Sequence, residues 1–474
     1  MDLGTRVYRR IERFATDGRR TAGWVAICLT AAVIVASVAA WLDALLLCLV
    51  AFAALGALAI AITRPNSLLY LYCAAVPFNF ALPPGPAGTV ARIAGVVFFV
   101  GYLVRDPGAL RLGAVPAAGW LFLGWTLMTV LWAIDPQVSF DSWVSLAQLF
   151  GVAVLITSLV ARDRGLVPRA LWTYSVFATA TAAAAIVAYL GGTGIFSRAT
   201  AFAEQDPALF SSIVLPAAVV LMGAVGDPAT RGRVRIAALG GLVICVAALA
   251  LSGTRSAWAG FAVATVAWFV VRRDWRQSLA VAVVAIAVLI VVAAVPGVSD
   301  FLGARVASSL STGGSGRTDI WAVGLSVLAS APLLGVGFGN FSQAFTPYAI
   351  SHASASNASG ALFAARGAHN VYLGTSVETG LVGGLLLVVL VISAFTMRST
   401  NGITTVVRAA LLSLLVQAAF LDILAQKQVW LFLALALGLT AVPASARRIP
   451  GRLLPSRGSH GRGAARLRDD RVAG

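Results

Sequence analysis

VYLGTSVETGLVGGLLLVVLVISAF, residues 371–395, holds one charged side chain, Glu378, in an otherwise uncharged run. A helix rises 1.5 Å per residue, so roughly 20 mostly apolar residues cross the hydrocarbon core of a bilayer. This stretch is long enough, and others resemble it. Before it come Ala22–Ala40, Ala44–Thr63, Ser67–Leu82, Thr89–Val104, Ala114–Ile134, Trp143–Ala161, Ala170–Leu190, Ala208–Val225, Ile236–Leu251, Ala257–Val271 and Ser278–Pro296; after it come Ala409–Leu424 and Gln428–Ala444. Of the 474 residues, 59% are hydrophobic and 11% charged. Soluble globular domains approach a quarter charged, so that class is excluded. The sequence predicts an all-α, polytopic integral membrane protein with about fourteen transmembrane helices, or twelve if one pair is lost.

The charges give this array a direction. Cytoplasmic loops collect Lys and Arg, and with a cytoplasmic N-terminus all but seven of the 35 basic residues fall inside. The seven are Arg92, Arg198, Arg255, Arg305, Arg317, Arg366 and Lys427. The chain then divides into a basic cytoplasmic N-terminus (1–21), a multi-span transmembrane domain (22–444) and a basic, disordered cytoplasmic tail (445–474) disposed along anionic headgroups. The run from Ala22 reads as a first span rather than a cleaved signal. Net charge is +17, but the basic residues are scattered among loops without a recognition module, which argues against nucleic acid as a partner. Cys28, Cys48, Cys73 and Cys245 all lie in apolar stretches, where cysteine behaves as a small hydrophobe.

Only one loop is long, the extracytoplasmic segment 297–368 lying within the spanning domain. Ile320, Val323, Val327 and Leu328 have helical spacing there, which predicts a short interfacial helix over Asp319–Ser330. GVGFGN, with Gly335, Gly337 and Gly339, follows Pro332 as a flexible turn. Its glycines are no nucleotide fingerprint, for no βαβ context surrounds them.

Arginines held outside against the positive-inside bias call for a reason. Arg255 stands in SGTRSAWAG at a helix mouth, Arg317 in GSGRTDIW before the interfacial helix, and Arg366 in ARGAHN before the span from Val371. Arg198, in GIFSRATAF on a shorter outer loop, is a further contact by position. Helix-end anchoring or lipid contact is the plain alternative for each. Of the three histidines, His460 lies in the tail and His352 in a Ser/Ala-rich part of the loop, whereas His369 stands where the long loop meets the next helix. An imidazole there takes a proton from a hydroxyl at neutral pH, and guanidinium groups grip phosphate oxygens through a bidentate fork. Such a set suits transfer of a sugar from a lipid diphosphate. No metal-ligand spacing is visible and the chemistry calls for no cofactor.

Three blocks resemble the O-antigen ligase and polymerase superfamily of bacterial envelope glycosyltransferases: SGTRSAWAGF around Arg255, GRTDIWAVGLSVLASAPLLGVGFGNF from Gly316, and HNVYLGTSVETGLVGGLLL from His369. WAIDPQVS around Asp135 is a weaker echo. The resemblance implies a multi-span helical fold in the cytoplasmic (inner) membrane, an undecaprenyl-diphosphate-linked glycan donor, a glycan or glycolipid acceptor, and an extracytoplasmic site. It implies His369 as the catalytic base, with Arg255 and Arg317 holding the diphosphate. Glu378 matches a commonly acidic position and is placed to orient His369 or accept a charge; Arg198 and Arg366 are supporting candidates. EQDPALF near Asp206 lacks the asparagine often seen in the family, and the loop carries a Ser/Ala-rich piece from Ser351 to Ala365.

A ligase and a polymerase share these motifs and differ in product, a single transfer against a ladder of lengths. The rival class is a secondary transporter or lipid flippase. Transporters place ionisable groups at mid-membrane and show internal repeats; here the spans are nearly free of charge, with Arg92 and Asp422 near helix ends and Glu378 in the run from Val371, and no repeat is evident.

Overall fold

The computed structural model describes residues 66–81, 89–192, 198–202, 205–273, 317–352, 367–396 and 401–441, with backbone only for 349–352, plus isolated positions 56, 283, 287, 290, 294 and 303. Apart from those isolated positions, the stretches Ala22–Ala40, Ala44–Thr63 and Ser278–Pro296, both terminal segments, Arg366, and 297–316 and 353–366 of the long loop lie outside the described residues.

Among the described residues the chain is helical, without strands. The helices are α1 (Asn66–Ala75), α2 (Val90–Arg105), α3 (Ala117–Met128), α4 (Pro136–Arg162), α5 (Leu166–Leu190), α6 (Pro207–Val225), α7 (Gly232–Leu251), α8 (Arg255–Arg272), α9 (Arg317–Ser330), α10 (Phe341–His352), α11 (Val371–Ser393), α12 (Gly402–Ala418) and α13 (Lys427–Thr440). Five of them, α4, α5, α6, α7 and α11, are long and apolar enough to cross a membrane, and α2 makes a sixth if joined to 107–114 across a 107° bend. The predicted stretches around α1, α3, α12 and α13 are helical and apolar but shorter.

Polar residues start these helices. Asp135, Asp206, Asn370 and Asn401 each accept backbone N–H groups of the first turn, satisfying donors that have no partner within the helix. At the centre stands α6, buried over nearly its whole length and in contact with α5, α7, α8 and α12. Its hydroxyls and carbonyls receive bonds from neighbours: Gln417 Nε2 donates to Ser211 Oγ at 2.8 Å, Gln428 Nε2 to Ser212 Oγ at 2.7 Å, and Tyr174 OH to Ile213 O at 2.7 Å. In an apolar interior such cross-helix bonds fix the register of helices that dispersion alone leaves free to slide.

The glycine turn after α9 differs from its expectation, being clamped rather than flexible. Helix α11 is broken at Gly380 (φ 70°, ψ 177°). Leu381 N–H donates to Pro332 O (2.8 Å), while Val377 O accepts Val336 N–H (3.1 Å) and Glu378 O accepts Gly337 N–H (2.9 Å). Bonds that an unbroken helix keeps to itself are thus exchanged with the turn. From the other side, Ile134 N–H donates to Val336 O (3.1 Å) and Asp135 N–H to Asn340 Oδ1 (2.8 Å), so WAIDP docks on GVGFGN. Gly335, Gly337 and Gly339 all have positive φ and face neighbouring segments at distances that leave no room for a Cβ. Helices α9 and α10 then pack a small core of their own, Ile320, Val323, Val327, Phe341 and Phe345 against Val377 of α11, with Leu328 only partly buried.

Candidate active site

Four residues read from the sequence meet in space. Arg198, Arg255, Arg317 and His369 line one cavity of about 240 Å3, together with Asp206, Thr254 and Ser256. All four are half-buried. The cavity sits where helices begin: Asp206 caps α6, Arg255 opens α8, Arg317 is the first residue of α9, and His369 directly precedes the cap of α11. Helix starts carry partial positive charge and unpaired N–H groups, so the backbone adds to the guanidinium charge.

The arginines are held. Arg198 donates through Nε to Ser252 O (2.6 Å) and through Nη2 to Thr254 Oγ1 (3.0 Å). Thr254 Oγ1 in turn donates to Pro207 O (3.3 Å), which ties the start of α8 to that of α6. The turn that aims Arg255 is therefore braced by a second arginine. Asp206 is the acid of the cavity, but its Oδ1 is engaged with Ala208 N–H (2.6 Å) and Leu209 N–H (3.2 Å).

His369 has a left-handed backbone, φ 48°, uncommon for a residue with a Cβ. The Asp422 carboxylate fixes it, accepting His369 N–H at Oδ2 (2.7 Å) and Asn370 N–H at Oδ1 (3.2 Å). Asn370 Oδ1 then accepts Tyr372 N–H and Leu373 N–H, both at 3.0 Å, and Trp321 Nε1 donates to Ala368 O at 3.1 Å. The imidazole is thus carried on a backbone pinned from both sides. Its Nδ1 is buried without a hydrogen-bond partner among the described residues; a buried polar atom left in this way in a cation-lined cavity is suited to a ligand hydroxyl.

Glu378 lies elsewhere. Its Oε1 accepts Phe341 N–H (3.3 Å), and its side chain lines a neighbouring cavity of about 460 Å3 with Asp422. Asp422 is the residue that sequence reasoning missed as a functional partner. It fell inside the predicted stretch Ala409–Leu424, whereas α12 ends at Ala418 and places it in the following turn. Its signal was present: a lone acid in the run FLDIL. Among the described residues no group of three or more His, Cys, Asp or Glu side chains is gathered to hold a metal ion.

Among the described residues the protein is helical, with helices of membrane-spanning length and a cavity lined by three arginines and one histidine. Residues 240–388 match the O-antigen ligase family, a segment that includes Arg255, Arg317, His369 and Glu378. The match covers about a third of the chain and supports a likeness to the O-antigen ligase superfamily over that segment. No curated protein matches the chain.

Proposed function

We propose that this protein transfers a glycan from an undecaprenyl-diphosphate-linked donor to an acceptor hydroxyl, in the manner of an O-antigen ligase, at the outer face of the bacterial cytoplasmic membrane. About fourteen spans with both termini cytoplasmic belong to the same reading. The observation that carries it is the single cavity in which three arginines and His369 converge.

In the proposed step the acceptor oxygen forms a bond to the anomeric carbon as the bond from that carbon to the diphosphate oxygen breaks. The bonding pair leaves with the diphosphate, and the hydroxyl proton passes to the His369 imidazole. Charge grows on the leaving oxygen, where Arg255, Arg317 and the starts of α8 and α9 supply fixed positive potential. Because Arg198 and Asp422 hold this frame beforehand, little reorganisation is needed as charge develops. The scheme draws on no metal.

The test is glycosyl transfer in membranes containing wild type or His369→Ala at matched expression, supplied with a lipid-diphosphate oligosaccharide and envelope acceptors. Product from wild type alone supports the reading, and its length on a gel separates ligase from polymerase. Donor left unconsumed by wild type, with acceptors present, favours the transporter or flippase class instead.

A further inference from the structure

A cavity of about 570 Å3, separate from the arginine cavity, runs between α2, α4 and the start of α13. Arg92, the third residue of α2 after its Thr89 cap, and Lys427, the only lysine of the chain, both line it. Both are among the seven basic residues that the charge pattern places at the outer side. Arg92 Nε donates to Gln148 Oε1 at 2.7 Å, which turns the guanidinium toward α4. Val96 and Val100 follow Arg92 at four and eight residues, so all three share a face of α2 that extends about 12 Å. Both valines line the cavity and are half exposed, and Phe99 and Val152 complete its apolar wall.

Charge at the head of this groove is one-signed. Neither Arg92 nor Lys427 meets a carboxylate at ion-pair distance among the described residues, and the charge bearing on Lys427 is that of Arg92, a second cation. Elsewhere the fold does supply a counter-ion: Arg162 pairs with Asp106 at 2.8 Å. Like charges beside an apolar wall repel, and Lys427 is partly buried while Arg92 stays exposed; an anion between them relieves the repulsion and the desolvation of Lys427. Snorkelling explains one long basic side chain at a helix end. It does not explain why two converge on one groove with an apolar track below.

The segment Leu421–Lys427 also places this groove in a row. Leu421 borders the arginine cavity, Asp422 and Leu424 the middle one, and Ala425 and Lys427 the groove. The groove and the middle cavity share Ser145, Leu149 and Ala425. An occupant of the groove therefore sits next to the turn whose Asp422 fixes His369, without entering the arginine cavity.

We infer that the groove is a binding site for an anionic phospholipid, its phosphate between Arg92 and Lys427 and an acyl chain along Val96 and Val100. Arg92 presents the two terminal nitrogens left by its bond to Gln148, Lys427 adds a point charge, and the α2 face takes the chain. The assignment stands on this groove alone and does not rest on the transfer reading.

Full-length protein in detergent, titrated with dioleoyl phosphatidylglycerol and followed by native mass spectrometry, tests it. Wild type is expected to hold this lipid about thirty-fold more tightly than the R92Q/K427Q variant, two surface cations having been removed. Dioleoyl phosphatidylcholine should bind both alike. Val96→Trp, which keeps both cations and fills the track, should also lose phosphatidylglycerol, while Arg255→Gln in the other cavity should keep it. Unfolding temperatures confirm that each variant is folded, and V96W carries the test if the double variant is not. Equal phosphatidylglycerol binding by wild type and folded R92Q/K427Q, or by V96W, overturns the site. So does displacement by millimolar inorganic phosphate, which marks a free-anion site. Loss in Arg255→Gln alone places the lipid in the arginine cavity and also overturns it.

Discussion

Both the arginine cavity and the Arg92–Lys427 groove gather cations near helix starts, yet they hold them differently. In the cavity Arg198 is fixed by Ser252 O and Thr254 Oγ1, and His369 is pinned through its backbone by Asp422. In the groove Arg92 has Gln148, and Lys427 forms no ion pair among the described residues. Rigid donors serve a charge that develops during a reaction, since they need not reorient as it grows. Loosely held cations serve a charge that arrives complete on its ligand. The same residue types thus fit a reacting site in one place and a resting site in the other.

The sharpest way to break this contrast is at the imidazole. His369→Gln is expected to lower the transfer rate by about 100- to 10,000-fold, the range for a lost general base. Single-turnover assays with preloaded donor should show the loss in the chemical step. An unchanged rate would leave the cavity without a proton acceptor and reduce it to an anion site.

Next in size are Arg255→Lys and Arg317→Lys. Each keeps the charge and removes the planar fork, so a fall of about 100-fold in kcat is expected, with a smaller change in KM, where donors act mainly in the transition state. R92Q/K427Q should leave kcat within about three-fold, because surface cations outside the reacting centre contribute little to it. If the groove variant loses as much kcat as either arginine variant, the two regions are one functional unit and the contrast fails.

Asp422→Asn comes third. The amide retains one acceptor but turns an NH2 toward a backbone N–H, so either His369 or Asn370 loses its partner. Hydrogen bonds to charged groups contribute roughly 1.5–3 kcal/mol, which corresponds to a loss of about ten-fold or more. A positioning role predicts that kcat falls while donor binding holds; equal loss of both would mean that the turn itself has collapsed.

The sequence made much of this site legible because its signals are local. Arg255, Arg317 and His369 stand at apolar-run boundaries, and an arginine at a boundary that the charge pattern reads as outer is conspicuous against the positive-inside bias. Helices α4 to α7 and α11 were readable from apolar length. Helix α10 was not: FSQAFTPYAISH mixes polar residues with an internal Pro347 and is stabilised by packing on α9 rather than by its own pattern. Asp422 acts on a backbone 53 positions earlier, and spacing within a run says nothing of such a partner. The clamped glycine turn was misjudged for the same reason, since the segments that hold it, WAIDP and the break at Gly380, are distant in sequence.

Glu378 gives the smallest expected effect and the finest discrimination. Sequence placed it beside His369, one turn-pair into the same helix; in space its carboxylate faces the glycine turn and accepts Phe341 N–H. Glu378→Gln retains an oxygen at the accepting position, so the turn keeps its bond and transfer should stay within about three-fold of wild type. Thermal stability should shift little for the same reason. An orienting acid behaves otherwise, because it must bear charge toward the imidazolium as the proton arrives, and neutralising it would lower kcat as far as Asp422→Asn does. Parallel turnover measurements on the two variants therefore separate a carboxylate that shapes a turn from one that serves His369. Equal losses would transfer the orienting role to Glu378 and require the imidazole to reach it across the middle cavity during the reaction.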